Sequence, residues 1–289
     1  MINKPEISVI IVNWKVRALL EKCLDSIIAN RAGINVEIIV VDNDSRDGTS
    51  EMIMAEYSDV RMIALPRNHG FAAANNLALK QAHGKYMLLL NPDTRVTPDF
   101  FPKMLTYIKE HPEVGILGPK ILNVDRSLQL SVRRFPDLFS QILILLKLKN
   151  VLINNKFLAH YLFGNFDYDK EQSVDQIMGA AMLIRRRVLD KIGHLDQKFF
   201  IWFEEVDICK RAKKAGFIVQ YYPQATIIHY GGSSFDKQMI MWKQLVFNKS
   251  LLYYFWKHQP RWQWFILILF IPINIALTFL YVIFLESKQ

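Results

Sequence analysis

The chain has 289 residues, of which 51% are hydrophobic, so it can bury a sizeable core in one large domain or two small ones. Its formal net charge of +9 favours anionic partners such as nucleotides or lipid head groups, but the basic residues form no nucleic-acid-binding motif. Cys23 and Cys209 are too far apart in sequence to indicate a zinc site or a disulfide framework. The N-terminal segment lacks the pattern of a cleaved signal peptide, and we expect a protein of the reducing cytoplasm.

The N-terminal half alternates predicted strands and helices. Short apolar runs predict strands, and apolar residues at helical spacing or Ala-rich runs predict helices. The predicted strands are residues 7–12, 36–45, 60–65 and 85–90. The predicted helices are residues 16–29, 48–57 and 71–84, the last with Gly84 as its C-cap. This alternation predicts an α/β fold with a parallel sheet and helices on both faces.

Two polar turns follow predicted strands of this sheet. Residues 42–45 (DNDS) end the second strand, and residues 91–93 (NPD) end the fourth. In open α/β sheets, ligands bind outside the carboxyl ends of the strands, so these turns form a candidate site. Either turn alone could equally be a helix cap or a turn former, which is the commoner use of Asp and Asn.

Five motifs occur in a fixed order along the chain. They are VVDNDSRDGT (40–49), NHGFAAANN (68–76), LLLNPD (88–93), GAAMLIRR with GHLD (179–186 and 193–196) and FIWFEEVDICKR (200–211). Together they resemble the motifs of the inverting family 2 glycosyltransferases, in their rhamnosyltransferase-like branch. The resemblance covers roughly residues 5–235. It implies a GT-A fold, which is a Rossmann-like, mostly parallel nucleotide-binding sheet flanked by helices.

The resemblance also implies a binding site for a dTDP-sugar or UDP-sugar. Asp42 would bind the base or the ribose hydroxyls, with help from Asn13 and Asp44. An acceptor-only carboxylate suits hydroxyl and imide donors. Arg67 and Asn68 would line the nucleotide pocket, although Arg67 could also be a solvated loop residue.

A divalent cation, Mg²⁺ or Mn²⁺, is implied at Asp93, where it would bridge the diphosphate oxygens. Asn91 stands where the usual family motif has an acid, which weakens the case for a tightly held metal and suggests hydrogen bonding to ribose or phosphate. Gly179, in the glycine loop, is expected beside the donor. His229 would bind the metal or diphosphate, although a histidine after an apolar run is often structural; the Gly and Ser residues at 231–234 favour the functional interpretation.

The candidate catalytic acids are Glu204, Glu205 and Asp207. At a helix start these acids crowd one another, which raises the proton affinity of at least one, as a catalytic base requires. The resemblance implies that Glu205 is the base, and we expect Asp207 to pair with Arg211 at helical spacing. Alternatively, all three acids complement the helix dipole.

An acceptor loop is expected at Arg133 and Arg134, after a predicted strand at residues 129–131. The apolar segment 138–163 carries scattered lysines and is too interrupted to span a bilayer. We interpret it as an amphipathic interfacial segment; a helix that covers the core is the alternative.

The C-terminal part predicts membrane attachment. Residues 264–284 contain no charged residue and are long enough to cross a bilayer, either as one span or as a hairpin that bends at Pro272. We therefore expect a catalytic domain at 1–236, an amphipathic juxtamembrane helix at 237–263 and a transmembrane segment at 264–284. Lys257 and Arg261 flank the segment on its N-terminal side, so the domain should face the cytoplasm at the inner membrane.

The sequence therefore predicts a membrane-anchored inverting glycosyltransferase. We expect it to move L-rhamnose from dTDP-rhamnose onto a polyprenyl-diphosphate-linked saccharide in cell-surface polysaccharide synthesis. One alternative transfers another hexose or N-acetylhexosamine from a UDP-sugar; another is a non-catalytic nucleotide-sugar-binding membrane scaffold. The central expectation is that Asp42, Asp93 and Glu205 converge around one cleft.

Overall fold

The computed structural model describes residues 4–152, 155–231 and 240–286, apart from the side chains of 285 and 286. Strands and helices alternate through most of this part of the chain, and its C-terminal end is helical. The strands are β1 (Ile7–Asn13), β2 (Val36–Asp42), β3 (Val60–Ala64), β4 (Tyr86–Leu90), β5 (Thr94–Val96), β6 (Val114–Leu122), β7 (Val132–Arg133), β8 (Gln172–Ser173), β9 (Gln176–Ile177), β10 (Ala181–Arg185) and β11 (Ile218–His229). The helices are α1 (Arg17–Asn30), α2 (Thr49–Glu56), α3 (Phe71–Leu79), α4 (Phe100–Glu110), α5 (Leu138–Leu145), α6 (Lys156–Tyr161), α7 (Arg186–Ile192), α8 (Glu204–Lys214), α9 (Ile240–His258) and α10 (Arg261–Glu286).

The central sheet has the strand order β3-β2-β1-β4-β10-β6-β11-β5, with β8 paired to β11. Strands β1, β2, β3, β4, β6 and β11 run in one direction, and β5, β8 and β10 run against it. The expected α/β fold with a mostly parallel sheet is confirmed. Strands β7 and β9 form a separate small antiparallel pair.

Both faces of the sheet are buried, which explains the continuous apolar runs of its strands. In β1, Ile7, Val9 and Ile11 belong to the core on one face. The intervening Ile10 and Val12 belong to the core on the other face. With both faces covered by helices, the functional groups of the sheet are left at the strand ends.

Two predicted elements differ in the structure. Helix α3 ends at Leu79, not at Gly84, and a turn follows it. Gly84 is needed for close packing instead, because an added Cβ would lie 2.6 Å from the backbone nitrogen of Ser8. The strand predicted at 129–131 lies at Val132–Arg133, since Gln129 closes a turn by donating its backbone N–H to the carbonyl of Ile121.

The C-terminal helices α9 and α10 pack together, and α10 also packs on α5. Helix α10 continues through Pro272, so a hairpin that bends there is not what the structure has. Asn274, which is fully buried, accepts a hydrogen bond from the Asn248 side chain (2.9 Å) and donates one to the carbonyl of Leu145 (2.6 Å). These two bonds satisfy the polar side chain of Asn274 on the side of α10 that packs against α9 and α5.

Among the described residues, one helix is long and apolar enough to cross a membrane: Arg261–Phe284, with a mean hydropathy of 2.6. Only 17% of its most apolar window is buried in the protein, unlike a core helix of a soluble domain. Its exposed side chains include Phe265 and Leu269. This helix suggests membrane association.

The predicted interfacial segment 138–163 consists of two short helices, α5 and α6, and not one amphipathic helix. Leu145 and Leu158 are fully buried, whereas Phe139 and Val151 are exposed. Residues 153–154 in this segment lie outside the described residues, as do residues 232–234 after His229 and the predicted domain boundary at 236–237.

Candidate active site

A cavity of about 380 Å³ opens at the carboxyl edge of the sheet, where the ends of β1, β4 and β11 meet the start of α8. Many of the predicted site residues line it, whereas the others lie outside its wall. Those that line it are Asn68, Asn91, Asp93, Gly179, Glu204, Glu205 and His229.

Strand pairing brings these distant residues together. After β4, the backbone N–H of Asn91 donates to the carbonyl of Ala180 (2.9 Å), which places the loop of Gly179 beside the polar turn. Strand β5 begins directly after Asp93 and pairs with the end of β11, so that Thr94 lies opposite His229. Asp93 and His229 therefore become neighbours although they are far apart in sequence.

The side chains of Asp93 and His229 are direct neighbours in the cavity wall. His229 Nε2 lies 3.3 Å from a carboxylate oxygen of Asp93 and 3.4 Å from Asn91 Nδ2. His229 Nδ1 lies 2.6 Å from Gln129 Oε1, and the Gln129 amide nitrogen donates to Asn123 Oδ1 (2.8 Å). Because an amide oxygen only accepts, Nδ1 carries the proton, and in the neutral ring Nε2 offers a lone pair toward Asp93.

This donor set fits Mg²⁺ or Mn²⁺ held jointly by protein and substrate. An imidazole nitrogen whose other ring nitrogen is fixed by a hydrogen bond is the usual form of a metal-binding histidine. In the described part of the chain, no three His, Cys, Asp or Glu residues gather as a metal site. Asp93 and His229 would therefore supply few ligands and leave positions for phosphate oxygens and water, as is common for such ions.

Glu204, which is buried, and Glu205, which is half-buried, lie side by side at the start of α8. Glu204 is 4% exposed, and in both residues Oε2 is buried with no hydrogen-bond partner among the described residues. Burial and then the charge of Glu205 raise the pKa of Glu204 well above its ordinary value. Burial also raises the pKa of Glu205, whereas backbone hydrogen bonds and the charge of the nearby Arg133 act in the opposite direction. Two such acids beside a cavity are suited to hold and transfer a proton.

Asp207 was a candidate catalytic acid, but it does not line the cavity. Helical residues turn by about 100° per position, so Asp207 points away from the face that carries Glu205. It is fully buried and contacts the Arg211 Nε (2.7 Å), the Lys257 Nζ (2.7 Å) and the His258 Nε2 (2.6 Å). The expected pair with Arg211 is present, and Asp207 additionally binds α8 to α9.

Asn13 and Asp42 support the loop that follows β2. Asp42 accepts hydrogen bonds from the backbone N–H of Ser45 (3.1 Å) and from the Ser50 hydroxyl (3.0 Å). Asn13 donates to Ser45 Oγ (3.0 Å) and Thr49 Oγ1 (2.9 Å). Neither lines the cavity, so the structure brings Asp93 and Glu205 to one cavity and places Asp42 beside it, at the end of β2. The Asn13 Oδ1 atom is buried and has no hydrogen-bond partner among the described residues.

Asp44 and Arg67 lie outside the cavity wall. Asp44 is ion-paired with Arg46 (2.7 Å), and Arg67 is exposed. Between them in space, Asn43 lines the cavity and donates to Asn68 Oδ1 (2.9 Å), while the backbone N–H of Gly70 donates to the same oxygen (2.8 Å). Side-chain and backbone amide groups therefore form this part of the cavity wall.

Several lining residues were not predicted as site residues, mainly Trp14, Asn43, Gln176 and Trp202. Arg133, which also lines the cavity, lies in the predicted acceptor loop. Trp14, Asn43 and Trp202 lie within or next to recognised motifs, which is a signal that could have identified them. Arg133 and Gln176 are opposite each other in the β7–β9 pair, a long-range contact for which no local pattern exists.

Several known glycosyltransferases are similar to this chain. The N-acetylglucosaminyl-diphospho-decaprenol L-rhamnosyltransferase of Mycobacterium tuberculosis is 27% identical over 210 residues, which cover 69% of this chain and 68% of that protein. A low-salt glycan biosynthesis hexosyltransferase of Haloferax volcanii is 26% identical over 72% of this chain and 62% of its own length. A dTDP-rhamnosyl transferase of Shigella flexneri is 22% identical over 72% of this chain and 64% of its own length.

Solved structures show the same fold. A mannosyltransferase of Pyrobaculum calidifontis in complex with GDP-Man and Mn²⁺ has a TM-score of 0.59 at 16% identity, covering 96% of this chain and 74% of that one. GalNAc-T7 with UDP, GalNAc and Mn²⁺ has a TM-score of 0.60 at 16% identity, covering 78% of this chain and 43% of that one. The model of the family described as glycosyl transferase family 2 matches residues 8–193. The chain belongs to this family and is a glycosyltransferase with the GT-A fold.

Proposed function

We propose that this enzyme transfers a sugar, with inversion at its anomeric carbon, from a nucleotide sugar to a hydroxyl of a lipid-linked saccharide. L-Rhamnose from dTDP-rhamnose is the proposed donor pair, for the synthesis of a cell-surface polysaccharide. The observation that carries the proposal is that Glu205, whose Oε2 atom has no hydrogen-bond partner among the described residues, lines the same cavity as Asp93 and His229. The proposed base and the two residues proposed to hold the cation at the donor diphosphate therefore line the same cavity.

In the proposed reaction, Glu205 accepts the proton of the acceptor hydroxyl while the hydroxyl oxygen attacks the anomeric carbon. The bond from that carbon to the diphosphate oxygen breaks on the opposite face, and the nucleoside diphosphate leaves with the bonding electrons. The glycosidic bond therefore forms with inverted configuration. Burial raises the pKa of Glu205, and the charge of Glu205 in turn contributes to the raised pKa of the buried Glu204.

Asp93 and His229 are the residues proposed to hold Mg²⁺ or Mn²⁺ at the donor diphosphate. A divalent ion there would neutralise charge that develops on the leaving group. The two structural neighbours described above contain Mn²⁺ together with a nucleotide or nucleotide sugar, which supports a cation of this kind. Asn91, placed between β4 and His229, is proposed to hydrogen-bond to ribose or phosphate.

The names of the relatives support the donor and acceptor classes. Two are rhamnosyltransferases, and one of these acts on a diphospho-decaprenol-linked N-acetylglucosamine by its name. Another relative is named as a hexosyltransferase. Transfer of another hexose from a UDP-sugar is therefore the second candidate. Sugar specificity depends on a few pocket contacts.

The proposed location is the inner membrane, with the catalytic domain on the cytoplasmic side. Helix α10 supports attachment, and Lys257 and Arg261 at its N-terminal flank support the orientation. If this is right, the full chain stays with membranes after alkaline carbonate extraction, whereas release into the supernatant would contradict a spanning helix.

The function is tested by incubating the full-length protein in lipid nanodiscs with nucleotide sugars and N-acetylglucosaminyl-diphospho-prenol. Mass spectrometry identifies the product, and NMR gives its anomeric configuration. We expect transfer from dTDP-rhamnose with inversion and loss of transfer with a chelator. Retention of configuration would contradict the mechanism. Donor binding without transfer to any acceptor would favour the non-catalytic scaffold.

A further inference from the structure

Two bulky residues with a left-handed backbone stand directly before the acid pair. Trp202 has a φ of +64° and Phe203 a φ of +71°, in a region that bulky side chains rarely adopt. Such a conformation costs free energy and persists only where the surrounding structure holds it. Helix α8 begins at the next residue, Glu204. The contacts of residues 200–203, here called the 200–203 turn, therefore decide where the helix with the proposed base begins.

The 200–203 turn is also part of the cavity wall. Phe200, Ile201 and Trp202 line the cavity, as Glu205 does. Glu205 lies against the glycine loop, because a Cβ added at Gly179 would be 3.5 Å from the Cβ of Glu205. A displacement of the turn would therefore change both the shape of the cavity and the place of Glu205 in it.

Helix α3 holds the chain at the start of this turn. The backbone N–H of Phe71 donates to the carbonyl of Phe200 (2.7 Å), and a Cβ added at Gly70 would lie 2.5 Å from the same oxygen. Further upstream, the buried Asn76 side chain donates to the carbonyl of Leu195 (2.7 Å) and accepts from its backbone N–H (3.1 Å). The segment that leads into the turn is thus fixed by hydrogen bonds to its backbone.

Helix α9 holds the turn at a second point, next to the left-handed residues. The hydroxyl of Ser250, which is 2% exposed, donates to the carbonyl of Ile201 (2.9 Å). Phe203 is also buried and packs in the same apolar cluster as Leu251 and Tyr254 of α9. Ser250 therefore binds the backbone of the turn, and its apolar neighbours hold the side chain that ends the turn.

We propose that Ser250 is a positioning residue for sugar transfer: its hydrogen bond to Ile201 keeps the 200–203 turn, and with it Glu205, in the place that the reaction requires. This inference rests on the proposed function. Ser250 does not line the cavity, so it acts through the turn and not by contact with a substrate. Because α9 packs on α10, the same bond connects the cavity wall to the helix proposed to cross the membrane.

The test compares Ser250→Ala with Tyr253→Phe as the matched control from the same helix. The Tyr253 hydroxyl donates to a carboxylate oxygen of Asp196 (2.8 Å), which also binds the Lys257 Nζ (2.7 Å). Each variant therefore removes one hydroxyl hydrogen bond between α9 and the segment before α8. Only the bond of Ser250 is made to the backbone of the turn.

Transfer from dTDP-rhamnose to N-acetylglucosaminyl-diphospho-prenol is measured with the full-length protein in nanodiscs. For Ser250→Ala we expect kcat to fall about 10-fold, because a buried carbonyl loses its partner and the base is misplaced. The donor KM should stay within about twofold, since Asp93 and His229 lie on other elements. Tyr253→Phe should keep kcat within about twofold of wild type, while both variants lower Tm by a similar amount.

Two kinetic results would overturn the proposal. An unchanged kcat in Ser250→Ala would show that the turn does not depend on this bond. An equal fall of kcat in both variants would mean that any lost contact of α9 lowers activity, which leaves Ser250 no specific role.

A second measurement does not depend on transfer. The protein is labelled with 5-fluorotryptophan, and the fluorine NMR signal of Trp202 is identified by its absence from Trp202→Phe. We expect this signal to shift in Ser250→Ala and to keep its wild-type position in Tyr253→Phe. If wild type transfers sugar to no acceptor, the proposed function fails, while the Trp202 signal still decides whether Ser250 holds the turn. A Trp202 signal that is the same in wild type and Ser250→Ala would overturn that role.

Discussion

Helix α8 carries acids in opposite electrostatic states. Glu204 and Glu205 line the cavity, each with one buried oxygen that has no hydrogen-bond partner among the described residues, and burial raises the pKa of each. Asp207 does not line the cavity; burial alone would raise its pKa, but the hydrogen bond from His258 and the charges of Arg211 and Lys257 lower it to about 2. The same helix turn therefore carries an acid pair suited to catalysis and an acid fixed as an anchor.

The acids of this turn differ in what they contact: Asp207 binds basic side chains, whereas Glu204 and Glu205 line the cavity. The Asp207 cluster joins α8 to α9, and Phe203, Val206, Leu251 and Tyr254 pack in the same region. The C-terminal helices thus support the helix that carries the proposed base, and they are more than a membrane tether. At the cavity, the Oε2 atoms of Glu204 and Glu205 have no hydrogen-bond partner among the described residues. Such a loss of stability is expected at a site that is needed for activity.

The largest effect is expected for Glu205→Gln, which keeps the shape of the side chain but removes its basicity. Transfer should fall by about 10²- to 10⁴-fold, because general base catalysis contributes on that order. Donor affinity, measured by the donor-dependent rise in Tm, should stay close to wild type. A variant that transfers sugar normally would exclude Glu205 as the base.

The next largest effect is expected for Asp207→Asn, which leaves the cations around it without a partner. The free energy of unfolding should drop by about 3 kcal/mol, as for other broken buried ion pairs. The control is Asp175→Asn, which breaks the more exposed pair with Lys213 of the same helix (2.7 Å) and should cost less than about 1 kcal/mol. Equal losses in denaturant unfolding would show that the buried cluster is not special.

The pH dependence of the Asp207 contribution has a defined sign. Its pKa is lowered from 3.8 to about 2 in the folded protein, so its stabilisation is fully present above pH 3.8 and is lost as the pH falls through about 2. Difference unfolding curves of wild type and Asp207→Asn at several pH values measure this. A stability difference that vanishes at pH 5 would contradict the pairing.

A smaller effect of opposite sign is expected for Glu204→Gln. An ionised, buried acid with a raised pKa destabilises the folded state, increasingly so as the pH rises above its ordinary value near 4.5. The variant should therefore be more stable than wild type at pH 7, by about 1 kcal/mol, and the gain should shrink toward pH 4. Destabilisation at pH 7 would mean that Glu204 has a stabilising partner.

The sequence predicts those parts of the fold and site that depend on local pattern. Apolar runs predict β1 to β4, and the family motifs identify Asn91, Asp93, Glu204, Glu205 and His229, all of which line one cavity. Asp207 could not be distinguished from Glu205 by residue type alone, since only helix periodicity and the position of α9 decide which face it occupies. Arg133 and Gln129 reach the site through β7–β9 pairing and a loop contact to His229, which are tertiary interactions without a local signal.

The most direct test of the central claim, that Glu205 is a base with raised proton affinity, is the pH profile of kcat/KM for the wild-type enzyme. The base must be deprotonated to act, so a raised pKa moves the acidic limb upward. We expect the midpoint of that limb above the ordinary glutamate value of 4.5. A midpoint at or below 4.5 would mean that the charged form of Glu205 is at least as stable as that of a glutamate in water. The claim would then be wrong.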